Sequence, residues 1–331
     1  MKPVLEACYF GADPDHLWVR MATVLRFTAE THCANWTIQV RHIRAEPMRS
    51  ALGIASHVHN TQKMEHWYQV VTGAPDGARL LLMDADMMIL RPLDDVWDRD
   101  FDLAYTVKPQ ERFPFNSGVV FLRVSDRTRA FVEEWRRENR RMLGDSRHHQ
   151  VWRKQYGGIN QAALGYMLSK GDRAGVHLLM LPCREWNCED SSWPTFDRAV
   201  TRIVHLKSSL RRAIFFGLPL PSSGVAELTK TWKALERAAL EAECPEPASP
   251  GEPARAPDRP APVEARVATA PRGFRMRGRP RGPETIVHSV RIKTGVYDAC
   301  CRLARRQREP VGAVIQKAIE SYLGRSGERA E

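Results

Sequence analysis

Two aspartates one residue apart, Asp84 and Asp86, sit in the stretch LLMDADMMILRPL at positions 81–93. Apolar residues flank them on both sides, and a carboxylate buried there without a partner would be costly. A divalent cation is the natural partner for two hard oxygen ligands, and Mg²⁺ or Mn²⁺ suits them. Such an ion can hold a diphosphate and act as a Lewis acid where charge develops on a leaving group. Asp-x-Asp is also a common turn or helix-cap pattern, which is the reading for Asp94 and Asp95 nearby. A second chemistry gathers at the other end of the chain. Residues 271–331 hold 14 Lys and Arg against 6 Asp and Glu, so about +8 of the net charge of +11 lies in the last fifth of 331 residues. A cationic block with no apolar anchor beside it points to a polyanion, nucleic acid before membrane.

A carboxylate pair of this kind needs a rigid element to deliver it. Residues 79–83 (RLLLM) form a continuous apolar run bounded by Pro75, Asp76 and Gly77, as expected of a buried central strand. Residues 4–10, 36–42, 103–107, 118–123 and 203–206 read as further strands; 17–30, 61–71, 127–141 and 160–169 carry helical spacing. Strands alternating with helices predict a three-layer α/β domain with a mainly parallel sheet, whose ligands gather at strand ends. Seven cysteines without a CxxC pair or zinc spacing predict reduced thiols in a reducing compartment. The opening MKPVLEACYFGADPD lacks a long apolar region, and residues 80–90 are too short and too charged to span a bilayer. A soluble, cytoplasmic protein with no membrane contact is expected.

Composition divides the chain. Residues 1–243 carry the α/β pattern, 244–283 are rich in Pro and Arg, and 284–325 return to a compact strand–helix–helix pattern. The middle segment has too little apolar surface to offset its ordering entropy, so it predicts a disordered, extended linker.

Several ordered motifs over roughly residues 4–215 resemble the GT-A glycosyltransferases, those of glycosyltransferase family 8 above all. Asp84-Ala85-Asp86 resembles the family's metal motif, and Phe115-Asn116-Ser117-Gly118-Val119 its FN(S/A)GV segment at the donor sugar. Asn160-Gln161 resembles its Asp-Gln pair near the reacting centre. Leu181-Pro182 with Trp186-Asn187 resembles its LPxxWN stretch, and Ile203-Val204-His205 the strand bearing a third metal ligand. The resemblance implies a metal-dependent transferase (a hexosyltransferase) using a nucleotide sugar, a UDP-sugar first, with Asp84, Asp86 and His205 on Mn²⁺ or Mg²⁺. Tyr9, Phe10 and Gly11 fall where the family binds the base, where an aromatic can stack and a glycine lets the backbone approach. Lys63 and Lys207 are cations expected to reach the donor, together with Asp84, Ala85, Asn116, Ser117 and Gly118. Asn160 departs from the pattern: an amide cannot act as a general base. Asp190 or Glu189 could replace the missing carboxylate, or no protein base is used, so the stereochemical outcome stays open although the resemblance leans to retention.

The tail bears two further resemblances. Arg277-Gly278-Arg279-Pro280 is similar to the core of AT-hooks, in which an extended Arg-Gly-Arg lies in a narrow minor groove. Residues 286–323 resemble ribbon–helix–helix DNA-binding modules, with Ser289, Arg291 and Lys293 on the outward, DNA-facing side of the strand. Two helices of this size cannot bury their apolar stripe alone, so a homodimer through this module is expected. The pairing of domains predicts DNA as a partner and a hydroxylated base in DNA as the acceptor. A saccharide or protein acceptor, or a DNA-binding regulator that senses nucleotide sugar, are the other readings.

Overall fold

The computed structural model describes residues 1–10, 17–110, 112–169, 175–217 and 222–243. Its main sheet has six strands: β1 (Val4–Tyr9), β2 (Thr37–His42), β3 (Arg79–Asp84), β5 (Leu103–Val107), β6 (Phe115–Arg123) and β7 (Leu178–Pro182), in the order β2-β1-β3-β6-β5-β7. β1 runs parallel to β2 and β3, and β5 parallel to β7. β6 runs antiparallel to both neighbours, so the sheet is mixed, mostly parallel. The expectation of an α/β domain with a mainly parallel sheet therefore holds, with one reversed strand at its centre.

Alternation of side chains across β3 explains the layers. Leu80 and Leu82 face one cluster, with Met64 and Trp67 of helix α2 (Ala55–Gly73), Phe131 and Trp135 of α3 (Asp126–Gly144), and Ile159 of α5 (Ile159–Ser169). Leu81 and Met83 face the other, with Leu25 of α1 (Leu17–His32) and Trp186 of the short α6 (Cys183–Trp186). All four residues of this run bury fully or almost so, roughly 1.5–3 kcal/mol for each side chain. The run is continuous because both faces are covered.

One expected strand is placed differently. Residues 203–206 do not join the main sheet: β8 (Ile203–His205) pairs antiparallel with β4 (Met87–Ile89) in a separate two-stranded sheet. Three residues give too little pattern to say which strand they pair with. Helices α4 (Ser146–Tyr156), α7 (Ser208–Phe216) and α8 (Ser223–Glu243) and strand β7 add to those expected. α8 lies across α1 and α7, and its Gly224 packs on the turn Trp193–Thr195, where a Cβ would meet the Trp193 carbonyl at 1.8 Å. Cys8, Cys33, Cys183 and Cys188 are free and buried. Among the described residues no helix is long and apolar enough to cross a membrane. Gly11, the linker, the AT-hook-like Arg277 and Arg279, and the ribbon–helix–helix-like segment with Ser289, Arg291 and Lys293 lie outside the described residues, as do Cys244, Cys300 and Cys301.

Candidate active site

β3 ends at Asp84, and the chain turns through Ala85 and Asp86 into β4. The ladder between β4 and β8 sets Met87 opposite His205, and the Leu206 N–H donates to the Asp86 carbonyl at 2.7 Å. This small sheet carries a distant histidine to the acidic turn. His205 Nε2 lies 3.3 Å from Asp86 Oδ1 and 3.9 Å from Asp84 Oδ2. One ligand atom from each of the three lies within 4.8 Å of the others.

A buried chain of hydrogen bonds orients the imidazole. Asn187 Oδ1 is 3.1 Å from His205 Nδ1; Asn187 Nδ2 donates to Thr106 Oγ1 at 2.9 Å, and Thr106 Oγ1 donates to the Asn116 carbonyl at 2.9 Å. Because the other end of the Asn187 amide is committed as a donor, its oxygen must accept from Nδ1–H. Nε2 is then the nitrogen turned to the two carboxylates, the one that could bind a cation. Three lone-pair donors facing one another fit a cation between them, two oxygens and one imidazole nitrogen. Asn116 Oδ1 also accepts from the Gly118 N–H at 2.8 Å. Gly118 is required sterically: a Cβ there would lie 2.7 Å from Asp84 Oδ2.

Cations hold the outer carboxylate oxygens. The Lys63 ammonium, on α2, pairs with Asp84 Oδ1 and sits 4.5 Å from the centre of the Trp67 ring. Arg211, on α7, pairs with Asp86 Oδ2, donates from Nε to the Leu206 carbonyl at 2.8 Å, and lies over Trp18. Burial alone would raise the Asp86 pKa, but His205, Arg211 and Lys63 outweigh it and hold the carboxyl well below the usual range. Glu189 is fully buried, accepts from Lys108 Nζ at 2.7 Å and from Ser191 Oγ at 2.9 Å, and pairs with Lys207. Its desolvation is likewise overcome by the two ammonium groups, so it stays ionised. Burial works against the Lys207 charge, but Glu189, Asp190 and Asp86 raise its pKa overall.

Two cavities meet at Lys207. The first, about 320 Å³, is lined by Tyr9, Phe10, Lys63, Asp84, Ala85, Asp86, His205 and Lys207, all expected from the sequence. Trp18, His59 and Arg211 also line it and were not expected. His59 stacks on Phe10 with ring centres 4.7 Å apart. The second, about 550 Å³, holds Gln161 and Asp190 with Lys108, Phe113, Gly157 and Gly158. Gln161 Nε2 is committed to the Tyr156 and Phe115 carbonyls, which fixes the side chain at the cavity wall. Asn160 lines neither cavity. It is buried against α3, its side-chain amide 2.6 Å from that of Asn139, and its backbone carbonyl accepts from Trp135 Nε1. With its amide oxygen turned toward Lys63, it accepts from Nζ at 3.3 Å. Asn116, Ser117 and Gly118 are buried on β6 behind the acidic turn.

Residues 74–209 match the family model of the nucleotide-diphospho-sugar transferases. The chain is a glycosyltransferase, with a nucleotide-diphospho-sugar transferase domain over those residues. No curated protein matches its sequence. Solved structures similar to it include a glycosyltransferase involved in glycosylation of the major capsid of PBCV-1, at 13% identity and a TM-score of 0.44, covering 70% of this chain and 99% of that one. The glycosyltransferase GlyE of Streptococcus pneumoniae TIGR4 is 13% identical with a TM-score of 0.43, covering 76% of this chain and 67% of that one. The galactosyltransferase LgtC with donor and acceptor sugar analogs is 14% identical with a TM-score of 0.38, covering 70% of this chain and 96% of that one.

The glycosyltransferase's matched segment includes the acidic turn, the Asn187 relay and His205. Arg211 lies just beyond it, four residues after Lys207 and one helical turn along α7, a basic pair whose spacing could have exposed it in the sequence. Cys8 also lines the first cavity, and burial pushes its pKa up to about 12, which disfavours the thiolate.

Proposed function

We propose that this glycosyltransferase moves a sugar from a UDP-sugar to a hydroxylated base in DNA, with a divalent ion held by Asp84, Asp86 and His205. The observation that carries the metal and donor part is the convergence of those three ligand atoms at the wall of a cavity that also holds three cations, whereas the DNA acceptor rests on the basic C-terminal sequence. When bound, Mn²⁺ or Mg²⁺ would hold the donor diphosphate and stabilise the charge it gains on leaving. Lys63, Lys207 and Arg211 carry three positive charges against two on the aspartates, and the ion adds two more. A diphosphate of about two negative charges brings the site close to neutrality, so donor and ion suit each other's presence.

The chain's own residues then have distinct tasks. Tyr9, and Phe10 stacked with His59, offer aromatic faces to the nucleotide base. Ala85, Asn116, Ser117 and Gly118 shape the wall beside the donor sugar. Gln161 positions the sugar from the second cavity, and Asn160 acts indirectly by orienting Lys63. Asp190 is the carboxylate placed to take the proton of an acceptor hydroxyl as its oxygen bonds to the anomeric carbon and the bond from that carbon to the diphosphate breaks. The tail, with Arg277 and Arg279 on a minor groove and Ser289, Arg291 and Lys293 on a major groove, raises the local concentration of enzyme on duplex and pairs two chains.

The test is turnover of labelled UDP-sugars with Mn²⁺, with and without duplex containing hydroxymethylpyrimidines. Label in the DNA is expected. Donor hydrolysis with label only in a saccharide or protein would overturn the acceptor, and no turnover with any nucleotide sugar would overturn the donor reading.

A further inference from the structure

Helix α4 carries three cations, Arg147, Arg153 and Lys154. Its sequence, SRHHQVWRKQY, contains no Asp or Glu. The neighbouring α3 balances its arginines with i,i+3 partners, Arg137 with Glu134 and Arg141 with Glu138 among them. On α4, Arg147, Gln150, Val151 and Lys154 recur at i, i+3, i+4 and i+7 and form one exposed stripe, with exposed Arg153 at its edge. None of these three cations has a carboxylate within ion-pairing distance among the described residues. Lys154 and Arg153 sit in the last turn, where the helix dipole favours a cation. Arg147 does not: it lies in the first turn, where the dipole opposes it, so helix stability does not account for it.

The stripe leads to the second cavity. Arg112 Nε donates to the Lys154 carbonyl at 3.2 Å and the Phe113 N–H to the Gln155 carbonyl at 2.7 Å, so the segment before β6 caps the free carbonyls of α4. Phe113 is held at φ +57°, a left-handed conformation rare for a bulky residue. Its ring lies over Gly157, where a Cβ would be 3.3 Å away, and beneath the Arg112 guanidinium at 4.8 Å. A guanidinium plane backed by an aromatic ring, at the edge of the cavity that holds Gln161 and Asp190, is a surface on which a base can stack.

We infer that α4 is a nucleic-acid contact of the catalytic domain itself, gripping the phosphate backbone and passing a nucleotide to the Arg112–Phe113 rim. Arg147 and Lys154 are two turns apart, about 10 Å along the axis, or roughly three rises of a duplex strand. A membrane is the poorer fit, because Val151 is the lone apolar residue of the stripe. The inference rests on the acceptor reading only in naming what reaches the cavity.

The experiment uses the full chain and fluorescent duplex DNA titrated at several salt concentrations, with donor hydrolysis and thermal melting as controls. In R147Q/R153Q/K154Q, the slope of log affinity against log salt should become shallower by about 2 to 3, near 0.9 for each lost phosphate contact. Hydrolysis should not change, since none of the three lines the first cavity. Neutralising four exposed cations elsewhere, Arg198, Lys230, Lys233 and Arg237, should leave the slope as it was. An unchanged slope in the triple variant, an equal drop in the control variant, or no binding of duplex by the unaltered chain overturns the inference. So does loss of binding to phosphatidylserine vesicles with DNA affinity intact. If binding depends on α4 but no sugar enters DNA, the acceptor reading fails and the surface stands; label in DNA with binding independent of α4 is the reverse.

Discussion

At the scale of single residues, the site depends on groups that never touch a substrate. Asn187 fixes the tautomer of His205 through one hydrogen bond, and outer-shell partners of this kind are worth 10- to 100-fold in metal affinity. Asn187→Ala should raise the Mn²⁺ concentration for half-maximal donor hydrolysis by that factor, with activity recovered at high Mn²⁺. A loss that no Mn²⁺ concentration restores would place Asn187 elsewhere in the reaction. Asp84→Asn and Asp86→Asn should instead remove hydrolysis at every metal concentration, as should chelation, which added metal reverses. Gly118→Ala makes a different prediction. Its methyl would press on Asp84 Oδ2, Asn116 Oδ1 and the Met87 side chain, so hydrolysis should fall at least 100-fold, with a stability loss of about 1–3 kcal/mol. Equal activity of the variant would mean that Asp84 can move without consequence. The acidic pair was legible in the sequence because two charges interrupt an apolar strand. His59 and Trp18 were not, because each reaches the cavity through tertiary packing alone, and Arg211 was marked only by its spacing from Lys207.

Among the elements, legibility followed burial. β1, β3 and β5 were readable because continuous apolar runs mark strands covered on both faces, and α1, α3 and α5 because their apolar spacing repeats. The reversal of β6 was not readable, since hydropathy does not encode strand direction. α4 was missed because polar side chains fill most of its buried side. Those polar groups make a prediction of their own. His149 is almost fully buried, packs edge-on against His57 with ring centres 5.0 Å apart, and has no partner for Nε2 among the described residues. Burial pushes its pKa down to about 4, helped by His57, Arg153 and His148. His57 is lowered in the same way, by burial and then Arg153. A histidine whose folded pKa lies below its unfolded value of about 6.5 favours the neutral fold, so its contribution is complete above that value. It is lost progressively as pH falls from about 6.5 towards 4, by about 3 kcal/mol at most. Urea midpoints should therefore drop between pH 7 and pH 4.5, and His149→Gln should flatten the dependence. A variant with the same steep profile would mean that other groups set it.

Across the whole molecule, charge separates two tasks. The donor cavity balances its cations against carboxylates at contact distance, which suits a ligand that arrives with its own ion. The excess charge lies elsewhere, on α4 and in the C-terminal sequence, where cations lack acidic partners on α4 and outnumber them in the tail. Truncation after Glu243, the last residue of α8, tests this division. α8 contributes Leu228 and Trp232 to a cluster with α1 and α7, so the cut leaves the described packing complete. The truncated enzyme should hydrolyse donor at the rate of the full chain and unfold at the same urea concentration. Its affinity for duplex should fall by a factor of 10² or more, because removing a tethered second site removes its effective concentration. The affinity that remains should depend on α4: R147Q/R153Q/K154Q in the truncated enzyme should flatten the residual salt dependence to near zero. An insoluble truncation would mean that the tail belongs to the catalytic fold. Undiminished duplex binding would mean that the basic tail serves something other than DNA, and that α4 alone brings the enzyme to its acceptor.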